Sequence, residues 1–126
     1  MTTDVERFVK RFTEIWADPQ PERFPELFHP DGELLHPGMD RPLPASEVVG
    51  YIAGVKAAAP TAYLVPEGWA TRGDVVYIDW TMHSQVAGSP MTWRGANKCT
   101  MRGDRATFIE AFWGRIAPFT SSNAPS

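Results

Sequence analysis

Residues 92–114 read TWRGANKCTMRGDRATFIEAFWG: two alternating runs that meet at an Arg-Gly-Asp turn. In the first run Arg94, Ala96, Lys98, Thr100 and Arg102 fall on one side. Trp93, Gly95, Asn97, Cys99 and Met101 fall on the other. A period of two marks a strand with one buried face. The second set is the inner one, and Asn97 is its lone polar member. In the second run Ile109, Ala111 and Trp113 continue that inner layer, opposite Phe108, Glu110 and Phe112. Gly-Asp is what a tight hairpin requires. This triplet, like the one at 72–74, therefore reads as a turn and not as an adhesion motif.

Working backward, AYLVPEGWATR (62–72) and VVYIDWTMHSQ (75–85) alternate in the same way and are rich in β-branched and aromatic residues. Val76, Ile78, Trp80 and Met82 form the apolar set of the second of these, and Asp79 and His83 fall on its mixed side with Tyr77 and Thr81. RGD at 72–74 and VAGSP at 86–90 supply the turns. The N-terminal half has another period. TDVERFVKRFTEIWAD (3–18) places Val5, Phe8, Val9, Phe12, Ile15 and Trp16 at helical spacing, and Thr3 with Glu6 has capping-box spacing. Asp18-Pro19 ends that helix. PERFPELFHP (21–30) predicts a short second helix with His29 near its end, GELLH (32–36) a short strand, and 46–58 a third helix stopped by Pro60. The order is α-α-β-α-β-β-β-β. Helices segregated from antiparallel strands mean an α+β fold, with a curved sheet wrapped on the long first helix.

The chain has 126 residues, a net charge of −3, 43% hydrophobic residues and 12% aromatic ones. That fits a single domain over 1–126, with a polar, frayed tail at 117–126. No basic stripe points to nucleic acid. No run approaches a membrane span, and the N-terminus lacks the apolar stretch of a secretory signal. One cysteine, Cys99, excludes an internal disulfide and suits a reducing compartment, so the cytoplasm is expected. The histidines share no metal-ligand spacing with one another or with Cys99, so no metal is expected. Tyr77, Phe108 and Phe112 on the nominally wet face of the sheet point to a homodimer formed through that face.

LFHPDGELLHPG (27–38) and the hairpin at 93–114 together resemble the nuclear transport factor 2-like superfamily, in particular its SnoaL-like and ketosteroid isomerase-like members. The resemblance spans about 3–115 and implies a cone-shaped, mainly antiparallel sheet enclosing an apolar pocket. It also implies a small-molecule ligand. In ketosteroid isomerases the position of His36 carries an acidic base, that of Asn97 a protonated aspartate, and that of Phe12 a tyrosine. Two positions stay polar with changed chemistry and one is apolar, so steroid isomerisation itself is not implied. Gly95 and Asn97 likewise replace the Arg and Asp that limonene epoxide hydrolases need.

What those residues allow is proton transfer next to a carbonyl. A histidine ordinarily titrates near 6.5 and serves as base or acid around neutrality. A carboxamide donates to an oxygen on which charge develops. His36 and Asn97 are thus the candidate catalytic residues. Phe12, Trp16, Ile78, Trp80, Met82, Trp93, Ile109 and Trp113 are the candidate apolar wall, with Tyr51 or Tyr63 as a further donor. Two readings stand side by side. One is a cofactor-independent isomerase, cyclase or dehydratase. The other is a non-catalytic ligand-binding or dimerisation domain, in which His36 and Asn97 only satisfy buried backbone groups or water.

Overall fold

The structure is a computed structural model that describes residues 3–113. Helix α1 spans Asp4–Ala17, and a 3-10 helix follows at Pro21–Leu27. Strand β1 is Phe28–Leu35 and β2 is Leu43–Pro44. Helix α2 covers Val48–Ala58, and β3 (Tyr63–Arg72), β4 (Val75–Val86), β5 (Ser89–Arg102) and β6 (Arg105–Trp113) complete the chain. One six-stranded sheet runs in the order β2-β1-β6-β5-β4-β3. All neighbours are antiparallel except β1 and β6. This is the expected α+β architecture, a mostly antiparallel curved sheet with its helices on the inner face.

Helix α1 begins where its capping box predicts. The Glu6 amide donates to Thr3 Oγ1 at 3.0 Å, and the Thr3 amide donates to Glu6 Oε1 at 2.9 Å. Its stripe of Phe8, Phe12, Ile15 and Trp16 is buried. The helix is also tied to the β5–β6 turn, since Arg11 donates to the Asp104 carbonyl at 2.9 Å and to its carboxylate at 3.1 Å. On the sheet, Val76, Ile78, Trp80, Asn97, Cys99, Ile109 and Ala111 are buried. Asp79, Arg94 and Phe112 are exposed on the other face.

Three local expectations are corrected. Residues 21–27 form a 3-10 helix, because Pro25 inside it has no N–H to give to an α-helical ladder. Strand β1 starts at Phe28, four residues earlier than expected, so His29 lies in a strand and not at a helix end. Its Nε2–H donates to the Arg102 carbonyl at 2.7 Å. The loop after His36 contains the two-residue strand β2, paired with β1. The tail at 117–126 lies outside the described residues.

The β4–β5 turn is made by Ala87 at φ 52° and Gly88 at φ 82°. Two positive angles in a two-residue loop match the twist of a hairpin. Alanine pays a steric cost in this region that asparagine largely avoids. Ala87→Asn is therefore expected to stabilise the fold by about 0.5–1 kcal/mol. Calorimetry should show a Tm rise of roughly 2–4 °C. An unchanged Tm would mean that the turn is not under this strain.

Candidate functional site

Strands β3, β4, β5 and β6 and helices α1 and α2 enclose a cavity of about 260 Å³. Its wall on the sheet is Leu64, Trp80, Met82, Trp93, Asn97, Ala111 and Trp113. Trp16 closes it from α1, and Tyr51, Ile52 and Val55 close it from α2. Tyr51 and Val55 are four residues apart, so one helix face presents both. His36 enters from the end of β1. Pro37 follows it and favours extended backbone at His36, which carries the ring across the strand end.

Of the expected wall residues, Trp16, Trp80, Met82, Trp93 and Trp113 line this cavity. Phe12, Ile78 and Ile109 do not. Phe12 and Ile78 are fully buried and Ile109 nearly so. Phe12 and Ile109 border only a residual space of about 10 Å³ deeper in the core, no more than one water could occupy. All three are packing residues in the core, because strand alternation and helical spacing report the face a residue is on and not how deep it lies.

His36 and Asn97 are the only buried polar side chains among the described residues, at 8% and 5% exposure. His36 Nδ1 lies 2.8 Å from the Tyr51 hydroxyl. Tyr51 and Trp113 meet its ring edge-to-face, at 5.3 and 5.1 Å between centroids. Burial pushes the His36 pKa down to about 4, since the apolar surroundings disfavour imidazolium. The ring is thus neutral at physiological pH. Burial likewise raises the Tyr51 hydroxyl, which stays protonated. No described residue bonds His36 Nε2.

Asn97 projects from the middle of β5, and its Oδ1 accepts from Trp80 Nε1 at 3.0 Å. Its NH2 has no acceptor among the described residues. The two tyrosines differ in place. Tyr51 lies beside His36, whereas Tyr63 is 41% exposed and stacks on His83 at 4.8 Å, away from the cavity. Burial also raises the Cys99 thiol, so Cys99 is a core residue and no thiolate nucleophile. Among the described residues no three His, Cys, Asp or Glu side chains form a metal-binding group. No described helix is long and apolar enough to cross a membrane.

Sequence reasoning left Tyr51, Ile52 and Val55 unplaced. Helix α2 reads VVGYIAGVKAA, apolar around most of its circumference, so no face stood out. A tyrosine within so apolar a helix was the one available signal.

Residues 9–109 match the SnoaL-like domain family, and the chain belongs to it. No curated protein matches the sequence significantly. Solved structures show the same fold. TerC, crystallised with polyporic acid, aligns with a TM-score of 0.75 and 22% identity over 88% of this chain and 94% of that one. A protein of ketosteroid isomerase-like fold from Catenulispora acidiphila, in complex with trimethylamine, gives 0.76 and 18% over 85% of each. A nuclear transport factor 2-like protein from Burkholderia pseudomallei gives 0.78 and 17% over 90% and 92%. The nuclear transport factor 2-like fold expected from the sequence is thereby established.

The buried neutral ring makes stability depend on pH. In the unfolded chain His36 binds its proton near pH 6.5, and in the folded chain only near 4. Between these values the unfolded state holds more protons, so stability falls as pH drops through this window and is level above it. Denaturant titrations should show wild type losing about 2 kcal/mol more between pH 7.5 and 5 than His36→Gln does. Equal losses would mean that the imidazole is charged inside the fold.

Proposed function

We propose that the cavity binds a small apolar carbonyl compound, and that His36 and Asn97 promote proton transfer next to the carbonyl. The observation that carries this reading is the state of the two buried polar groups. Each has one atom held by an aromatic neighbour and the other left for a ligand. Aromatic walls supply affinity through burial of apolar surface. The carbonyl supplies the oxygen that the Asn97 amide lacks. Family membership and the small molecules bound by TerC and the Catenulispora protein support a ligand site on this fold.

In the catalytic step the C–H proton next to the carbonyl moves to His36 Nε2, and the bonding pair moves toward the carbonyl oxygen. Nδ1–H is then donated to the Tyr51 oxygen, and Asn97 donates to the developing enolate. With a pKa of about 4, His36 is a weak base. It is fully deprotonated at neutral pH, so the step is slow and its rate level above about pH 5. The second reading, binding without turnover, is favoured by a wall that carries no carboxylate.

The probe pair is 2-indanone and indane, which differ in the carbonyl. Calorimetric titration should give 2-indanone several-fold tighter binding, in line with one net hydrogen bond. Proton NMR in deuterated buffer should show exchange next to the carbonyl faster than buffer alone. His36→Gln should keep the binding and lose the exchange. Binding with no exchange supports the binder, and no preference for the ketone removes Asn97 from the site.

We further infer a homodimer through the outer face of the sheet. Phe112 is 49% exposed there and Val65 39%, with Tyr77 and Phe108 beside them on the same face by register. Sedimentation velocity should give a dimer for wild type and a monomer for Phe112→Glu. A monomeric wild type overturns the interface.

A further inference from the structure

We propose that Trp80, seated on Gly95, locks Asn97 as a hydrogen-bond donor, so that the Asn97 end of the cavity takes a ligand's acceptor and not its donor. This deepens the carbonyl-binding reading and rests on it.

The lock follows from what an indole can do. Its N–H only donates. The Asn97 atom 3.0 Å from Trp80 Nε1 must therefore be the carbonyl oxygen. Turning the amide over would set two donors against each other in a buried place, where neither finds water: Trp80 is 2% exposed and Asn97 5%. The NH2 is held on the side away from Trp80, and Asn97 borders the same cavity as His36. Without the indole N–H a carboxamide is indifferent, presenting oxygen or NH2 as the ligand asks. The preference is thus set by a side chain that gives the ligand no hydrogen bond.

Gly95 makes the reach of Trp80 achievable. Trp80 pairs directly with Gly95 across β4 and β5, while Asn97 pairs with Ile78, one step diagonal. A Cβ at Gly95 would stand 2.4 Å from Trp80 Cη2 and 2.6 Å from Cζ2. The indole therefore lies across the bare backbone of Gly95. A Cβ would also come within 2.5 Å of the Phe112 carbonyl oxygen. Gly95→Ala thus disturbs the β5–β6 ladder as well as the indole, and Trp80→Phe is the cleaner variant because it removes the N–H and keeps a ring over Gly95.

The test measures 2-indanone, an acceptor only, and indole, a donor only, by calorimetry on wild type and Trp80→Phe. In Trp80→Phe the ratio of 2-indanone affinity to indole affinity should fall roughly 3- to 10-fold from its wild-type value, with indole gaining affinity. Nitrogen-15 NMR supplies a readout that a merely structural role would not move. On adding 2-indanone to wild type the Asn97 NH2 signals should shift while the Trp80 Nε1–H keeps its hydrogen bond, read as unchanged slow exchange with deuterium. An affinity ratio unchanged in Trp80→Phe, or a Trp80 Nε1–H whose exchange quickens when the ligand binds, overturns the lock. Wild type that binds neither sinks the carbonyl reading, and the lock with it.

Discussion

The inner face of the sheet is longer than the helix laid across it. Helix α1 has 14 residues, about 21 Å of helix. Strand β5 also has 14, but at strand rise these run to about 46 Å. Phe8, Phe12, Ile15 and Trp16 can seal only part of that face. The remainder must be closed by something else or left open to water. Helix α2 and the indoles of Trp80, Trp93 and Trp113 close it, and large flat rings on a curved surface do not tile without gaps. The cavity is the remainder of that mismatch, and every polar feature of the site lies on its boundary.

What could be read from residues follows the same division. Strand alternation is a local property, so the inward position of Asn97 and the outward positions of Asp79, Arg94 and Phe112 were legible in β4, β5 and β6. His36 before Pro37 was legible too, because proline fixes the backbone ahead of it. Depth was not legible. Ile78 and Trp80 carry the same pattern, yet Ile78 is fully buried in the core and Trp80 lines the cavity. The parallel pairing of β1 with β6 joins segments some eighty residues apart, and nothing within either segment encodes it. The 3-10 geometry of 21–27 depended on one internal proline whose effect on a short apolar face competes with the face itself.

Gly95 links packing to polarity. It stands between Trp80 on β4 and Trp113 on β6, its partners on either side. Their rings approach to 6.2 Å between centroids. Trp113 in turn meets the edge of His36. The missing side chain thus lets the Trp80 indole settle where it reaches Asn97, while Trp113 beside it flanks the imidazole. In the sequence this glycine reads only as a gap in an apolar row.

An apolar cavity and a strong base pull against each other. The same exclusion of water that gives a ligand its affinity drives His36 down to about 4, and a base that weak abstracts only protons already made acidic by a neighbouring group. A carboxylate against Nδ1 would restore basicity by stabilising imidazolium, but Tyr51 stands there instead, and a neutral phenol stabilises the charge far less. The compensation has to come from the other end of the reaction, where charge develops on oxygen. In the proposed reaction Asn97 serves that end, and its hydrogen bond from Trp80 would spare it any reorientation as charge grows. Both polar groups are held by aromatic side chains with one polar atom each, which leaves the wall apolar. On the proposed reading, recognition of the carbonyl dominates and proton transfer is secondary, which would limit the chemistry to substrates whose carbonyl neighbours are activated before they arrive.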